Sequence, residues 1–560
     1  MTLPRPTILA LLLFLLGVAV LLPGISQITG ITGKDEYLLG LRTPMHMIEG
    51  GHGWLPWLDG EPRLKKPPLI YWLGKVSYET FGISLFSGRI IGVLFASLLS
   101  VVSGLIAWFL FRDKKALIFT GLVVLGSVGV MIDGRRLMLD IPVAALSALA
   151  ILFLLQWLDS GKNVYAIGSG AALGLAFLVK GPVAFFFYFA AVVALIVSSS
   201  GSKSLLRKSW GGGLSIIFVF ALVAVPWFIY IYLQYPALLA ETFSAEVGER
   251  ELFNISLSPA ASLLVMALPW SPLAIAILFS LKGEVEAPVE QKQLKLNRKK
   301  FLIIWLILSI LPFFFFRSFS RYLYGCMVPL SLLVCFILYE KEKLSMYRGW
   351  LRTGAIVSLL IGAMLIFLVI WFRGWQLIII PPLLFSLAFM LCWWQARNLL
   401  QMAMLAVLYW LGIISMVYPA LGINRIPDGV LEKVKGEYVV LFAGPQPAML
   451  PIVAGRGMRD TNQLWSLPEQ QRNSCKGILI FSPVKHFVTA RSQLAELGHR
   501  WQELGRYRVL SSRGSWLRIS HEDATRADWI HAFKNRDLDA LGSEIILVRS
   551  TATQCLPSSQ

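Results

Sequence analysis

The amino-acid sequence predicts a polytopic α-helical membrane protein with a small C-terminal α/β domain outside the cytoplasm. Of its 560 residues, 56% are hydrophobic and only 15% are charged, well below the roughly 25% of a soluble domain. Apolar runs of about 18 to 22 residues recur as far as residue 418 and are long enough to cross a hydrocarbon core about 30 Å thick. From about residue 430, short strand-like and helix-like segments replace these runs.

The apolar runs predict about thirteen spans, which form a membrane domain over 1–420 with longer outer connections at 29–83 and 234–259. Residues 1–28 also have features of a signal peptide. Because their apolar stretch is long and no clear small-residue cleavage site follows it, we expect a retained first span. The spans are predicted at 7–28, 84–111, 116–132, 139–157, 164–179, 182–199, 212–233, 260–281, 301–316, 322–339, 353–372, 374–395 and 400–418.

The formal charge of +19 is concentrated in short loops beside apolar helices, which excludes a nucleic-acid-binding protein. With the N-terminus inside, these basic loops fall on the cytoplasmic side, as the positive-inside rule requires. An odd number of spans then places 430–560 outside, in the periplasm if the protein resides in a bacterial inner membrane. The basic loops are 112–115, 203–210, 292–300 and 341–352.

The C-terminal segment has the mixed pattern of a small α/β domain. "EYVVLFAG" and "KGILIFSP" resemble short strands, "TARSQLAELGHRWQEL" resembles a helix, and "YRVLSSRGSWLRIS" resembles two strands around a turn. The segment contains Cys475 and Cys555, which either pair in an oxidising compartment or remain buried thiols.

Ionisable side chains gather at the outer ends of the predicted spans. Charged groups at membrane depth are costly and usually face a cavity or a partner, so each one suggests a function. Arginine suits bidentate phosphate contacts, and a nearby carboxylate can orient or deprotonate an attacking hydroxyl. We therefore predict a site for a phosphate-bearing substrate at the outer leaflet. The set comprises Asp35, Glu36, Lys65, Lys66, Asp133, Arg135, Arg136, Asp140, Lys180, Glu246, Glu249, Arg250, Arg317 and Arg321.

Single members of this set also have simpler interpretations. Glu249 can pair with Arg250 or cap a helix. Arg135 and Arg136 can extend their side chains to lipid headgroups. Lys180, followed by Gly-Pro, can mark a plain break between helices. The collection favours a site more strongly than any one residue does.

Several of these residues lie in motifs that resemble the GT-C superfamily of membrane glycosyltransferases, whose donor is a polyprenyl-phosphate-linked sugar. The sequence is most similar to the lipid A aminoarabinose transferases and to the phospholipid-carrier-dependent, mannosyltransferase-like group. The likeness covers roughly residues 1–340. The motifs are the acidic pair 35–36, "LKKPPLIYWL" (64–73), "RRLMLDIPVAA" (135–145), "FLVKGPVAF" (177–185), "FSAEVGEREL" (243–252) and "SRYLYGCMVPL" (320–330).

The resemblance implies an inverting glycosyltransferase whose leaving group is the polyprenyl phosphate. No cofactor is implied. Val247 follows Glu246 where the aminoarabinose transferases carry a histidine beside the glutamate, so no metal site is expected. The implied catalytic residues are Asp35, Glu36 and Asp140, and the implied donor-binding residues are Lys66, Lys180, Arg250, Arg321, Tyr322 and Glu246.

The expected partners are a polyprenyl-phosphate-linked sugar, an acceptor outside the cytoplasm and the lipid bilayer, with no nucleic acid. A lipid A-type glycolipid is the first choice of acceptor, with an aminoarabinose-like sugar. A protein O-glycosyltransferase of the mannosyltransferase type is an alternative. From other classes, a flippase or transporter of an anionic lipid and a non-catalytic binding subunit also fit a basic outer face. A transporter would be expected to contain internal repeats and interrupted helices near the midplane.

Overall fold

The computed structural model describes residues 4–30, 33–199, 210–248, 255–280, 296–340, 344–444, 447–511, 520–521 and 523–553. It confirms the predicted fold class, because a bundle of apolar helices is followed by a domain built around a β-sheet.

Each predicted span coincides with an apolar helix or with a helix that is broken along its length. Among the described residues, 8 helices are long and apolar enough to cross a membrane. They are Leu85–Phe111, Asp140–Ser160, Asn163–Lys180, Trp210–Gln234, Ser320–Leu338, Leu344–Arg373, Leu377–Gln395 and Leu399–Ala420. Shorter apolar helices are Pro6–Leu21, Val183–Ser198 and Arg298–Ile310.

Two predicted spans are not continuous helices. The span predicted at 260–281 consists of Ser258–Met266 and Ser271–Phe279, which are bent by 117° relative to each other. The sequence between them contains Pro269, and a proline removes a backbone donor and clashes with the preceding turn. The span predicted at 116–132 is divided into Lys114–Leu125 and Val128–Asp133. The count of thirteen crossings therefore stays a prediction.

The helix Leu85–Phe111 packs against Pro6–Leu21, Lys114–Leu125 and Asp140–Ser160. Small residues on this helix permit the close approach, as they commonly do between helices in membranes. A Cβ atom at Gly92 would overlap the backbone carbonyl of Arg136. The glycine thus allows the segment that precedes Asp140 to lie directly on the helix.

The connection after the first helix is structured. The segments Lys34–Glu36, Tyr37–Leu41 and Arg42–Glu49 follow one another as a single helical stretch, and Leu69–Phe81 is a second helix. Between them, β1 (Trp57–Leu58) pairs antiparallel with β2 (Glu61–Pro62). The second outer connection contains the helix Pro236–Gly248.

The C-terminal domain is built on a five-stranded sheet. Its strands are β3 (Val439–Phe442), β4 (Arg459–Thr461), β5 (Ile478–Pro483), β6 (His499–Val509) and β7 (Ser543–Ala552). The strand order is β4-β3-β5-β7-β6; β3 is parallel to β4 and β5, whereas β7 is antiparallel to β5 and β6. Helix Val484–Glu496 follows β5 and ends before the predicted helix does, because β6 begins at His499. Residues 512–519, which contain the predicted turn and most of the second predicted strand of 507–520, lie outside the described residues.

The cysteines differ between the two domains. Cys326, Cys335 and Cys392, in the membrane helices, are free thiols. Cys475, in the C-terminal domain, is disulfide-bonded. Because Cys555 lies outside the described residues, its pairing with Cys475 stays a prediction.

The C-terminal domain docks onto the membrane domain at two places. Near the helix Arg526–Asn535, the Trp371 indole donates to the Phe533 carbonyl over 3.1 Å, and Arg373 forms an ion pair of 2.7 Å with Asp539. At the outer connection, the backbone N–H of Gly457 donates to Glu49 over 2.5 Å. The domain therefore lies on the same side of the bundle as residues 29–83.

Candidate active site

Four of the predicted site residues form a continuous ionic cluster. Arg321 forms an ion pair with Asp35, and its Nε atom lies 3.7 Å from the carboxylate of Asp140. The other carboxylate oxygen of Asp140 is paired with the Lys180 ammonium. Asp35 and Arg321 are 286 positions apart in the sequence. The fold thus brings together charges that the sequence places in four separate segments.

Each member of the ionic cluster lies at or near the end of a helical segment. Asp140 is the first residue of its helix and Lys180 is the last of its own. These are the positions at which the helix dipole favours an acid and a base, respectively. Gly181 ends the second helix with φ 63°, a conformation that favours glycine. The Lys-Gly-Pro sequence is therefore a helix break, and its lysine is also a member of the cluster.

The members differ in their access to solvent. The side chain of Asp140 is 4% exposed and that of Lys180 is 9% exposed. Arg321 is 13% exposed, whereas Asp35 is 29% exposed. Asp140 is thus a buried acceptor shared by two cations, and Asp35 is the carboxylate that a substrate can reach most easily.

Aromatic rings cover the two cations. The Lys180 ammonium lies 3.8 Å from the centre of the Tyr322 ring, and the Arg321 guanidinium lies 4.5 Å from the Phe319 ring. Such contacts stabilise a cation where water is partly excluded. Tyr322 was among the predicted residues, whereas Phe319 was missed. The sequence signal for Phe319 was its position two residues before Arg321, at the end of a predicted span.

The predicted lysine of the "KKPP" motif lies beside the cluster. A Cβ atom at Gly181 would be 3.9 Å from the Pro67 side chain, so this segment runs past the end of the Lys180 helix. Lys66 is close enough to act electrostatically on the Lys180 ammonium. Lys66 therefore lies near the Lys180 end of the ionic cluster.

Two predicted donor-binding residues are not placed by the structure. Arg250, like Glu249, lies outside the described residues. Glu246 belongs to the helix Pro236–Gly248, but only its backbone is described. Both assignments stay predictions. In the described part of the chain, no three His, Cys, Asp or Glu side chains come together as metal ligands.

Glu36 does not join the cluster, although it adjoins Asp35 in the sequence. Its carboxylate is fully buried and forms a two-pronged ion pair with Arg89, with distances of 2.9 and 3.1 Å. Arg89 also donates to the carbonyls of Ile25 and Gln27 over 2.6 and 2.8 Å. The pair joins the acidic loop to the helix Leu85–Phe111. Sequence reasoning missed Arg89, although an arginine inside an apolar helix is itself a signal.

Three more charges of the predicted outer set are buried instead of facing lipid or substrate. Arg136 pairs with Asp133 over 2.8 Å, and the Tyr324 hydroxyl donates to the same carboxylate over 2.8 Å. Arg135 donates to the carbonyl of Pro23 over 2.9 Å and also to Ser415. Arg135 and Arg136 are at most 8% exposed, so they do not extend to the headgroups. These side chains connect helices behind the cluster.

Residues 65–230 match the family described as dolichyl-phosphate-mannose-protein mannosyltransferase. In fold, 98% of the chain superposes on 99% of ArnT from Cupriavidus metallidurans bound to undecaprenyl phosphate, with a TM-score of 0.66 and 15% sequence identity. The chain has a GT-C fold. The predicted resemblance to the GT-C superfamily is thereby confirmed for the fold.

Curated relatives align with part of this chain. An undecaprenyl phosphate-alpha-4-amino-4-deoxy-L-arabinose arabinosyl transferase of Pseudomonas aeruginosa is 26% identical over 349 residues, 60% of each protein. An uncharacterized protein of Aquifex aeolicus is 26% identical over 273 residues, 47% of this chain and 52% of the relative. The chain thus spans about half to three-fifths of the length of these relatives.

The region that matches the family contains Lys66, Asp140 and Lys180. Asp35 and Arg321 lie before and after it in the sequence, yet they meet Asp140 in the ionic cluster. The cluster therefore draws on segments outside the region that matches the family.

Proposed function

We propose that this protein is an integral-membrane glycosyltransferase. It moves a sugar from a polyprenyl-phosphate carrier to an acceptor at the outer face of a bacterial inner membrane. The observation that carries this proposal is the ionic cluster, in which an accessible carboxylate lies against cations at the ends of membrane helices. A lipid-linked phosphate would reach such a site from the bilayer while its sugar faces the solvent.

In the proposed reaction, the acceptor oxygen attacks the anomeric carbon from the face opposite the phosphate, which inverts the configuration at that carbon. The bond between the anomeric carbon and the phosphate oxygen breaks, and its electron pair remains on the phosphate. Lys66, Lys180 and Arg321 stabilise the negative charge that develops there. Arg250 is the fourth cation that we assign to this phosphate, and Glu246 a residue of the donor site, both on the family pattern alone.

Asp35 takes the proton of an acceptor hydroxyl as the new bond forms. An acceptor that is itself a phosphate brings no such proton, and Asp35 then orients the sugar. Asp140 holds Lys180 and Arg321 in place instead of touching the reacting atoms, because it is buried between them. Glu36 acts through Arg89 to fix the acidic loop. Asp140 and Glu36 are therefore positioning residues in this proposal.

A lipid A-type glycolipid is the acceptor that we favour, with an aminoarabinose-like sugar. The name of the Pseudomonas aeruginosa relative supports this choice, and the ligand of the similar ArnT structure supports the carrier. The disulfide at Cys475 fits a C-terminal domain in the oxidising periplasm. The match of residues 65–230 to protein mannosyltransferases keeps a protein acceptor as the second candidate.

The test uses the purified protein in lipid nanodiscs with a polyprenyl-phosphate sugar labelled in the sugar. Lipid A, a serine- and threonine-rich peptide and buffer are offered as acceptors, and Asp35→Asn is the matched inactive variant. We expect label on lipid A with the wild type alone. Label on the peptide would favour the second candidate. Vesicle-to-vesicle movement of intact donor without any transfer would contradict an enzyme and favour a flippase.

A further inference from the structure

The C-terminal domain contains a cleft that the proposed reaction leaves without a role. Its volume is about 720 Å³, and a second hollow of about 410 Å³ adjoins it. The two hollows share Lys34, Ala443 and His486 in their walls. Together they are large enough for a ligand of the size of a disaccharide.

The position of the cleft in the sheet is one at which α/β domains bind ligands. The strands β4, β3 and β5 are parallel, with β3 in the middle. After β3, the chain forms β4 on one side of β3 and then β5 on the opposite side. Leu450, after β3, packs on one face of the sheet, and Phe487, after β5, packs on the opposite face. A crevice opens at the carboxyl ends of strands where such connections diverge. Ala443 and Lys485, which follow β3 and β5, line this cleft.

The cleft ends next to the ionic cluster. Lys34 lies in the wall of both hollows, and its ammonium packs against Gly444 so closely that a Cβ atom there would overlap it. The next residue in the chain is Asp35, and successive Cα atoms are about 3.8 Å apart. The wall of the cleft at Lys34 is therefore one residue along the chain from Asp35.

The side chains of the cleft indicate the chemistry of its ligand. Lys34 and Arg508 supply positive charge in addition to Lys485, whose charge is balanced by Asp523, and His486 and His521 supply ring nitrogens. Three carboxylates in the wall already have partners within the domain. Asp523 pairs with Lys485 over 3.3 Å, Glu544 with Arg506 over 3.8 Å, and Asp528 accepts from the backbone of Thr525 over 2.7 Å.

Among the described lining residues of the larger hollow, Val484 is the largest aliphatic side chain and none is aromatic, whereas Leu38 and Phe442 line the smaller hollow. A peptide is usually held by apolar pockets or by an exposed strand edge, so the larger hollow suits a polar ligand better. Cations and histidines bind phosphate, and mixed donors and acceptors bind sugar hydroxyls.

We propose that this cleft binds the phosphorylated sugar headgroup of the acceptor glycolipid and directs it toward Asp35. The inference rests on the proposed function, because only a transferase has an acceptor. Binding of a ligand to the cleft can be measured without turnover.

The experiment measures equilibrium binding of glucosamine 1-phosphate to the full-length protein in nanodiscs by titration calorimetry. Glucosamine and inorganic phosphate are the comparison probes. We expect glucosamine 1-phosphate to bind more tightly than either of its parts. Arg508→Ala should weaken its binding by about tenfold, the loss expected for one charge-assisted hydrogen bond, while undecaprenyl phosphate still binds. Arg500→Ala is the matched control, because Arg500 lies on the same strand but outside the cleft.

Each result has a clear consequence. Equal affinity of Arg508→Ala and the wild type would overturn the proposal. So would a probe affinity that falls in Arg321→Ala but not in Arg508→Ala, because the probe would then occupy the donor site. Competition by a serine- and threonine-rich peptide would assign the cleft to a protein instead. Probe binding that depends on Arg508 in a protein without transferase activity would retain the cleft and remove the proposed function.

Discussion

Replacing Asp35 with asparagine should separate catalysis from folding. The substitution preserves size and polarity but removes the charge that pairs with Arg321. Because the Asp35 side chain is 29% exposed, this pair contributes at most about 1 kcal/mol to stability. Arg321 also keeps Asp140 as a partner at 3.7 Å. With a hydroxyl acceptor, loss of the general base should instead lower turnover by roughly 10² to 10⁴. With a phosphate acceptor, Asp35 orients the sugar, and its loss should lower turnover by roughly 10².

The neighbouring carboxylate provides the opposite result. Glu36→Gln leaves the Arg89 guanidinium buried without its carboxylate, and breaking such a pair costs about 3–5 kcal/mol. This variant should unfold at a lower temperature, whereas any protein that remains folded should retain most of its turnover.

The assay combines transfer from a labelled polyprenyl-phosphate sugar with thermal unfolding of the same nanodisc samples. Near-normal turnover in Asp35→Asn would refute the mechanism. Equal losses of turnover without loss of stability in the two variants would refute the division of roles between the two carboxylates.

Three further predictions concern the donor site, the outer connection and the topology. Arg321→Ala should weaken carrier binding by roughly tenfold or more, whereas Lys114→Ala, in a predicted cytoplasmic loop, should not; equal losses would indicate general destabilisation. Burial lowers the pKa of His46 below its usual 6.5, against opposing effects of Asp59 and Glu49. The folded protein therefore favours neutral His46, and this stabilising contribution is present above about pH 6.5 and is lost as the pH falls. Protease sensitivity of the loop should rise at pH 5.5 in the wild type but less in His46→Gln, and an identical response would contradict this reason. A reporter active only outside the cytoplasm should work after Gln560, and one active only inside should work after Lys300; the reverse pattern would overturn the topology.

The ionic cluster was largely predictable, because each member is a charged residue next to an apolar run and all of them lie on one predicted face of the membrane. Asp35, Lys180 and Arg321 each stand at the end of an apolar run, and those ends converge in the bundle. The different fates of Asp35 and Glu36 were not predictable from their adjacency. In a helical stretch, successive side chains point about 100° apart. Only one of the two can face the cluster, and the position of Arg89 decides which.

The structure also differs from the sequence-based prediction of the fold at one predicted span and at one predicted helix. A hydropathy pattern averages over Pro269, so it predicts one span where two helices are bent by 117°. The helix predicted through residue 504 ends early because Gly498, at φ 68°, leaves the helical conformation. The residues that follow it pair with β7, 34 to 53 positions later. Strand pairing at that separation leaves no sign in the local sequence.

The docking of the C-terminal domain has a consequence for how the protein can be handled. Ala532, Leu538 and Leu541 belong to the same hydrophobic core as the membrane helices, and Arg373 holds Asp539 from the membrane side. A fragment cut near residue 430 would therefore expose an apolar surface that the intact chain covers, and the truncated bundle would expose the matching one. The two parts are best produced and purified as a single chain in detergent or lipid.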